Sequence, residues 1–452
     1  MKGSGLQIAS AQMIPKLRIG PAQAYGGYIS EYKYRYLMFI IFKRYLIVAF
    51  LFLLLCPAIL FSQDIYKLRI DPSQAYGGNI SEYFDQVEYI PLETKKESLF
   101  GNIDQLIVTD ESYIVYDWDT RSVLFFRPDG RFLERIKKPL NNQLSISYDS
   151  YRKIIILSIY NLSTQKTTIE LYDPVGVLVK DQAESLKLSG ESELTAFGNN
   201  YFLSQGNCYL APGRPAKDSV CYLVNIYEGD RLYRSFLPYN QTKNPGVCSI
   251  QGYTRKIKIV GEGYFYIATP LDHIVYKISK DSAEKMFQFV FPSKRTLGKE
   301  VYTSRDRRYI DSVRRTIDND QNIIMDVSNI FYNRKYLFFK INTRVYASYL
   351  GSDINNQYNF LFDTTSGKLV SIERMLPDKR CFYLPIADNG LKISGLNYYK
   401  QNFYTALSSL TMFTEMEKTK DKNPQYPSVL QEYFKSQHRK SNPVIVKMKL
   451  KG

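Results

Sequence analysis

"NIDQLIVTDESYIVYDWDTRSVLFFRPDGRFLERI" occupies Asn102–Ile136 and decides how the rest of the chain is read. It divides into four short apolar or alternating runs, Asp104–Val108, Tyr113–Tyr116, Ser122–Phe126 and Phe132–Ile136. Alternation with a period of two turns one face of such a run towards a core. Between the last two runs stands "RPDG", whose Asp129-Gly130 is a strong hairpin turn signal. Four short antiparallel strands with tight turns make one blade of a β-propeller.

The pattern recurs. "KIIILSIYN…TTIELYDPVGVLVKD" (Lys153–Asp181) repeats it with Gly176 at the turn, and "NYFLSQGN…SVCYLVNIYEGDRLYRSFL" (Asn200–Leu237) turns at Gly229-Asp230. "GYFYIATPLDHIVYKISKDSAEKMFQFVF" (Gly263–Phe291) is a fourth unit. "KYLFFKINT…YNFLFDTTSGKLVSIERM" (Lys335–Met375) is a fifth, turning at Ser366-Gly367, and "GLKISGLNYYKQNFYTALSS" (Gly390–Ser409) is a sixth, less regular. A repeat of roughly 40 to 70 residues points to propellers or solenoids. A β-sandwich does not require the same turn at the same place in each unit. The sequence therefore predicts an all-β chain folded as a six-bladed β-propeller.

Two segments break the β pattern. Arg295–Asn322 has helical spacing, with Val301, Tyr309, Ile310 and Val313 on one face, and predicts a helical insertion. Leu407–Gln437 reads as two helices parted by Asn423-Pro424, ahead of a closing strand in Asn442–Lys451 that is apolar at Val444, Val446, Met448 and Leu450. A ring must join its last blade to its first or leave an open strand edge. "QVEYIPLE" (Gln86–Glu93) and "PVIVKMKL" (Pro443–Leu450), from opposite ends of the chain, are expected to pair in one blade.

Composition agrees. The 452 residues include 39 Tyr, 26 Phe and one Trp, a bias that favours pleated, half-buried surfaces and argues against disorder. The net charge of +16 raises the question of nucleic acid. The first 63 residues hold seven Lys/Arg and one acidic residue, and the remaining positive charge is scattered. Its densest cluster, "SRDRRYIDSVRR" (Ser304–Arg315), reads as a solvated helix face. A nucleic-acid partner is not expected.

From Met38 the chain reads "MFIIFKRYLIVAFLFLLLCPAILFSQD". Lys43 and Arg44 precede an apolar run from Tyr45 to Phe61, and Ser62 stands before a polar switch at Gln63 and Asp64. This is the layout of a secretory signal peptide, with cleavage expected near Ser62 or Gln63. The run is also near the lower limit for a membrane span, so an uncleaved anchor is the alternative. Cys56 raises lipidation, but Leu55 before it and Pro57 after it depart from a lipobox. The expected organisation is an extension over residues 1–37, a signal or membrane segment over 38–63, and the propeller over 64–452, exported to the periplasm or cell surface.

The extension holds a duplication. "LRIGPAQAYGGYISEY" (Leu17–Tyr32) and "LRIDPSQAYGGNISEY" (Leu68–Tyr83) agree at 13 of 16 positions. The Leu68 copy leads into the "YIPLET" strand and belongs to the fold. The Leu17 copy precedes the signal and reads as a misassigned start or a fragmentary duplication, expected to be poorly packed.

"ISEYFDQVEYIPLETKKESLFGNIDQLIVTDESYIVYD" (Ile80–Asp117) resembles the opening of the six-bladed, NHL-like propellers of secreted bacterial proteins. The matching residues include Phe84, Tyr89–Thr94, Leu99, Gly101 and Ile103, and "SNPVIVKMKLKG" (Ser441–Gly452) resembles that family's closing strand. The resemblance covers about Ile65 to Gly452. It implies six blades and export, and its members share no single reaction, so no catalytic residue follows from it.

Motifs of chemistry are sparse. There are two histidines, His273 and His438, and no H-E-x-x-H, C-x-x-C, P-loop or G-x-S-x-G pattern. His273, in "PLDHIVY", reads as a loop or core histidine, and His438 as an exposed one. "DNDQN" (Asp318–Asn322) alternates oxygens as calcium loops do but lacks the Gly and distal Glu, so it reads as a helix end. "DWDT" (Asp117–Thr120) reads as a blade turn with a half-buried Trp118. No cofactor or metal is expected. Cys208 and Cys221 stand at opposite ends of a Pro/Gly-rich hairpin tip and are the best candidate disulfide in an oxidising compartment. The expected function is a non-catalytic binding module for a small molecule, glycan or protein, at the channel mouth or loop face. The alternatives are a glycan lyase or hydrolase using carboxylates and Tyr at that mouth, and a membrane-tethered sensor domain.

Overall fold

Blade 1 forms where the alternation places it. In the computed structural model its strands are Gln105–Val108, Tyr113–Asp117, Ser122–Phe126 and Phe132–Lys137, paired in that order. The two central strands are buried at every position, as expected of strands covered on both faces by neighbouring blades. Gly130 makes the predicted turn with φ 87°, and the Arg127 N–H donates to the Arg131 carbonyl at 2.7 Å. The structure describes residues 65–179, 194–198, 200–206, 219–250, 263–320, 322–333, 335–343, 358–388 and 395–451, and Met38. The expected extension, the signal segment with Cys56, and Cys208 lie outside the described residues.

The same logic builds the rest of a six-bladed β-propeller. Blade 2 holds Asn142–Asp149, Ile154–Asn161 and Lys166–Tyr172. Blade 3 holds Leu194–Gly198, Tyr201–Gln205, Val220–Glu228 and Arg231–Asn240. Blade 4 is built on Tyr264–Ala268, Ile274–Ser279 and Ala283–Val290, and blade 5 on Asp326–Tyr332, Tyr336–Asn342, Asn359–Asp363 and Leu369–Leu376. The first strands of blades 2, 3 and 5 precede the runs read from sequence. "NQLSISYD" shows why: polar residues fill its alternate positions and weaken the apolar signal.

Blade 6 closes the ring as expected. Asn397–Tyr399 and Asn402–Leu407 pair with Val444–Leu450, and that strand pairs antiparallel with Phe84–Pro91. Val446 stands opposite Tyr89 and Met448 opposite Val87, all four buried. Fully burying side chains of this size stabilises by about 1.5–3 kcal/mol each.

The chain reaches that seam by a path the sequence did not reveal. Lys67–Arg69 pairs parallel with the last strand of blade 4, and Tyr76–Asn79 pairs parallel with the last strand of blade 5. A 3₁₀ turn at Pro72–Gln74, capped by Asp71, links the two, and the short helix Ile80–Tyr83 leads into blade 6. The Leu68 copy of the duplicated stretch is thus a strap across three consecutive blades. Leu68, Ile70, Pro72, Ala75, Ile80 and Tyr83 are its buried residues.

The helical insertion comprises Glu300–Thr303 and Arg307–Asn319, with Asp306 capping the longer helix. Val301, Ile310, Val313 and Ile317 are buried and Tyr309 is partly so. The C-terminal pair is Ser409–Lys418 and Ser428–Ser436, separated by a left-handed Asn423 at φ 50°.

Candidate binding site at one mouth of the ring

The innermost strands set the site. Asn397–Tyr399 runs beside Gln105–Val108, and Asn142–Asp149 beside Leu194–Gly198. The Gln105 side-chain amide donates to the Ile146 carbonyl at 3.1 Å, tying blade 1 to blade 2. Each inner strand ends in a short turn to its neighbour; the turns of blades 6 and 1 meet, and so do those of blades 2 and 3. Lys400 Nζ of blade 6 bonds both Asp110 oxygens of blade 1, at 2.7 and 2.6 Å. The Tyr399 phenol lies close enough to Asp110 for the two groups to influence each other's ionisation. In blade 2, Arg152 bridges Asp149 at 2.9 Å and donates to Asn200 of blade 3 at 3.0 Å.

Electrostatics fix the protonation of this belt. The bond from Lys400 holds Asp110 below the usual carboxylate range. Burial pushes Tyr148 up to about 12, helped by the negative fields of Asp110, Glu111 and Asp149. Burial also raises Tyr404 to about 12, with Glu88 and Asp110 adding to it, and raises Tyr399 well above its usual value, with the nearby Asp110 adding to it. Near neutral pH Asp110 is therefore an ionised carboxylate, and the phenols of Tyr148, Tyr399 and Tyr404 stay protonated. These are fixed donors, acceptors and aromatic faces.

The turn that carries Lys400 is strained. Tyr399 pairs with Asn402, so the hairpin loop is Lys400-Gln401, and both have positive φ, 44° and 66°. Asn-Gly is the usual occupant of such a loop. A residue with a Cβ in the left-handed region costs about 1–2 kcal/mol. Strain of this kind gathers at functional sites.

The residues that sequence motifs singled out lie elsewhere. His273 is buried immediately before Ile274–Ser279, its ring edge-on to Phe291 at 5.2 Å. His438 is exposed. Asp320 caps the end of the inserted helix and accepts from the Asn322 N–H at 2.9 Å. Asp117 is buried and organises its turn by accepting from the Gly101 and Asp119 N–H groups, both at 3.1 Å, while Trp118 is 42% exposed under the Arg121 guanidinium. Cys221 lies in blade 3, and its proposed partner Cys208 is outside the described residues. Sequence reasoning missed Asp110, Tyr148, Tyr399 and Lys400. The one local signal was a two-residue hairpin, "YYKQNF", lacking the expected Asn and Gly.

The family described as "Domain of unknown function (DUF4934)" matches residues 68–449. Among solved structures, a candidate exported protein of Bacteroides fragilis is similar at 13% identity and TM-score 0.54, over 85% of this chain and all of that one. A DUF4221 family member from Bacteroides vulgatus is similar at 9% identity and TM-score 0.34, over 82% of this chain and 98% of its own. No curated protein matches the chain.

Proposed function

We propose a binding role for this chain, which belongs to the DUF4934 family. The propeller is an exported, non-catalytic module that holds a small polyhydroxylated or glycan ligand at the mouth lined by Asp110, Tyr148, Tyr399 and Lys400. One observation carries the reading: the strained Lys400-Gln401 loop places an ammonium on Asp110 of the next blade, at 2.6 Å, beside Tyr399. Phenol faces suit sugar rings, and the paired charges suit hydroxyl groups. Export rests on Lys43, Arg44 and the apolar run Tyr45–Phe61. The described export of the Bacteroides fragilis neighbour supports it, and the NHL-like character rests on the Ile80–Asp117 resemblance.

A glycan lyase or hydrolase at this mouth is the alternative. General acid–base catalysis favours a group that titrates near the working pH. Asp110, held low by Lys400, and Tyr148, held high by burial, fit fixed binding better. The test is a glycan-array and metabolite thermal-shift screen on the chain from Asp64 onward, beside Tyr399→Ala and Asp110→Asn. A ligand that raises Tm in the parent and not in the variants supports the reading. A ligand equally retained by both variants, or glycan turnover lost in them, overturns it.

A further inference from the structure

Blade 3 uses a bulge differently from its sister blades. Ile226 pairs with Arg234 and Tyr227 with Leu232, so Tyr233 is an extra residue on Arg231–Asn240. A bulge of this kind re-aims a side chain and is over-represented beside functional sites. Blades 1 and 4 bulge on the corresponding strand, at Leu133 and Met286. Both of those side chains are partly buried and pack against the hydrophobic core. Tyr233 is instead 37% exposed and reaches across to blade 4, its hydroxyl donating to Asp281 Oδ1 at 2.7 Å.

A second phenol stands beside it. Tyr201 begins its strand opposite Glu228 and donates to Glu228 Oε1 at 3.3 Å. The Tyr201 and Tyr233 rings lie 5.3 Å apart at 69°, edge to face, as two walls of a cage. Lys280 comes from the turn between Ile274–Ser279 and Ala283–Val290. Its ammonium sits 5.3 Å from the Tyr201 ring centroid and 5.6 Å from that of Tyr233. Asp281 Oδ2 meets the same nitrogen at 3.0 Å. The bonds from Tyr233 and Lys280 hold Asp281 below the usual carboxylate range. Two aromatic faces and an anion thus converge on one point, which suits a cation.

Lys280 is a poor occupant of this cage. A primary ammonium is strongly hydrated, and phenol faces do not replace its hydrogen bonds to water. Its pair with Asp281 is about half exposed, at 46% and 52%, so little holds it in place. A methylated ammonium gives up its water more easily and lays its methyl groups on aromatic rings. We propose that Tyr201, Tyr233 and Asp281 form a binding site for a quaternary ammonium group, of the kind carried by choline, and that Lys280 is the side chain this group displaces. The site shares no residue with the Asp110 mouth and stands independently of the function assigned there.

The test is equilibrium dialysis of the full chain against labelled choline. Saturable binding is expected. Lys280→Ala empties the cage and is expected to tighten binding by about threefold or more. Tyr233→Ala removes one wall and is expected to weaken it by about tenfold. Tyr233→Phe keeps the ring and is expected to retain most of the binding, which separates a lost wall from a lost fold. The neutral carbon analogue of choline, with a tert-butyl group in place of the trimethylammonium, should not compete. Where choline binds, co-sedimentation with phosphatidylcholine vesicles assigns the group to a lipid surface, and its absence assigns a soluble amine; either result upholds the site. If Lys280→Ala binds choline no more tightly than the parent, if Tyr233→Ala binds it equally, or if the neutral analogue competes as well as choline, the proposal is wrong.

Discussion

The side-chain amide of Asn442 donates to the carbonyl of Ser98 at 2.9 Å and, with the same nitrogen, to that of Glu93 at 2.8 Å. The Asn442 N–H donates to Thr94 Oγ1 at 3.0 Å, and Leu92 N to Pro443 O at 3.2 Å. These bonds tie the closing strand to the turn that opens blade 1. Asn442 is almost fully buried. Asn442→Ala leaves the Ser98 carbonyl without that donor, at about 1–3 kcal/mol, while the Glu93 carbonyl keeps the Ser98 hydroxyl at 2.7 Å. Asn442→Asp is expected to be worse, since a carboxylate cannot donate and faces two carbonyl oxygens. Urea unfolding should show both losses, while Arg439→Ala, which breaks an exposed pair with Glu417, changes stability by under about 1 kcal/mol.

Gly130 and Gly367 both sit in blade hairpins with positive φ, 87° and 72°. They differ in surroundings. A Cβ on Gly130 would meet Pro91 O at 2.1 Å, whereas one on Gly367 meets nothing within 4 Å among the described residues. Gly367→Ala should therefore cost only the backbone term, about 1–2 kcal/mol. Gly130→Ala adds a main-chain clash at the seam, where Gly130 O also accepts from Glu93 N at 2.9 Å. Thermal unfolding should place Gly130→Ala well below Gly367→Ala. Equal Tm values would contradict the account.

The same seam shows what was legible in the sequence. Val444, Val446, Met448 and Leu450 recur at alternate positions, and Asp129-Gly130 is a local turn signal, so blade 1 and the closing strand could be read directly. The strap could not. Parallel addition of Lys67–Arg69 and Tyr76–Asn79 to outer strands uses main-chain bonds and leaves no turn or period in the local sequence. The mouth was hidden for a different reason: Asp110, Tyr148 and Lys400 belong to three blades, and only closure of the ring brings them together. Histidine and acidic motifs drew attention to His273 and Asp117, which the structure uses for packing and turn capping.

His273 makes stability depend on pH. Burial pulls it from an ordinary 6.5 down to about 4, and among the described residues neither ring nitrogen has a hydrogen-bond partner. Between those values the unfolded chain binds more protons than the folded one, so stability rises with pH across that window. Above about pH 7.5 both states are neutral and this group contributes nothing further. At pH 5 the loss relative to pH 7 is about 2 kcal/mol, approaching about 3 kcal/mol near pH 4. His273→Phe retains an aromatic ring against Phe291 and should flatten this part of the profile. An unchanged slope between pH 7 and pH 5 in that variant would exclude His273 as its source.

The Lys400-Gln401 loop predicts opposite effects on stability and binding. Replacing it by Asn-Gly supplies residues suited to positive φ at both positions and removes strain of about 1–2 kcal/mol per residue. It also removes the Asp110–Lys400 pair, whose side chains are 52% and 64% exposed and therefore add under about 1 kcal/mol. The double replacement should raise Tm while abolishing the thermal shift given by any ligand of this mouth. Lys400→Met alone should lose the ligand with little change in Tm. If Asn-Gly leaves ligand binding intact, the strained loop serves the hairpin alone and the binding site lies elsewhere on the ring.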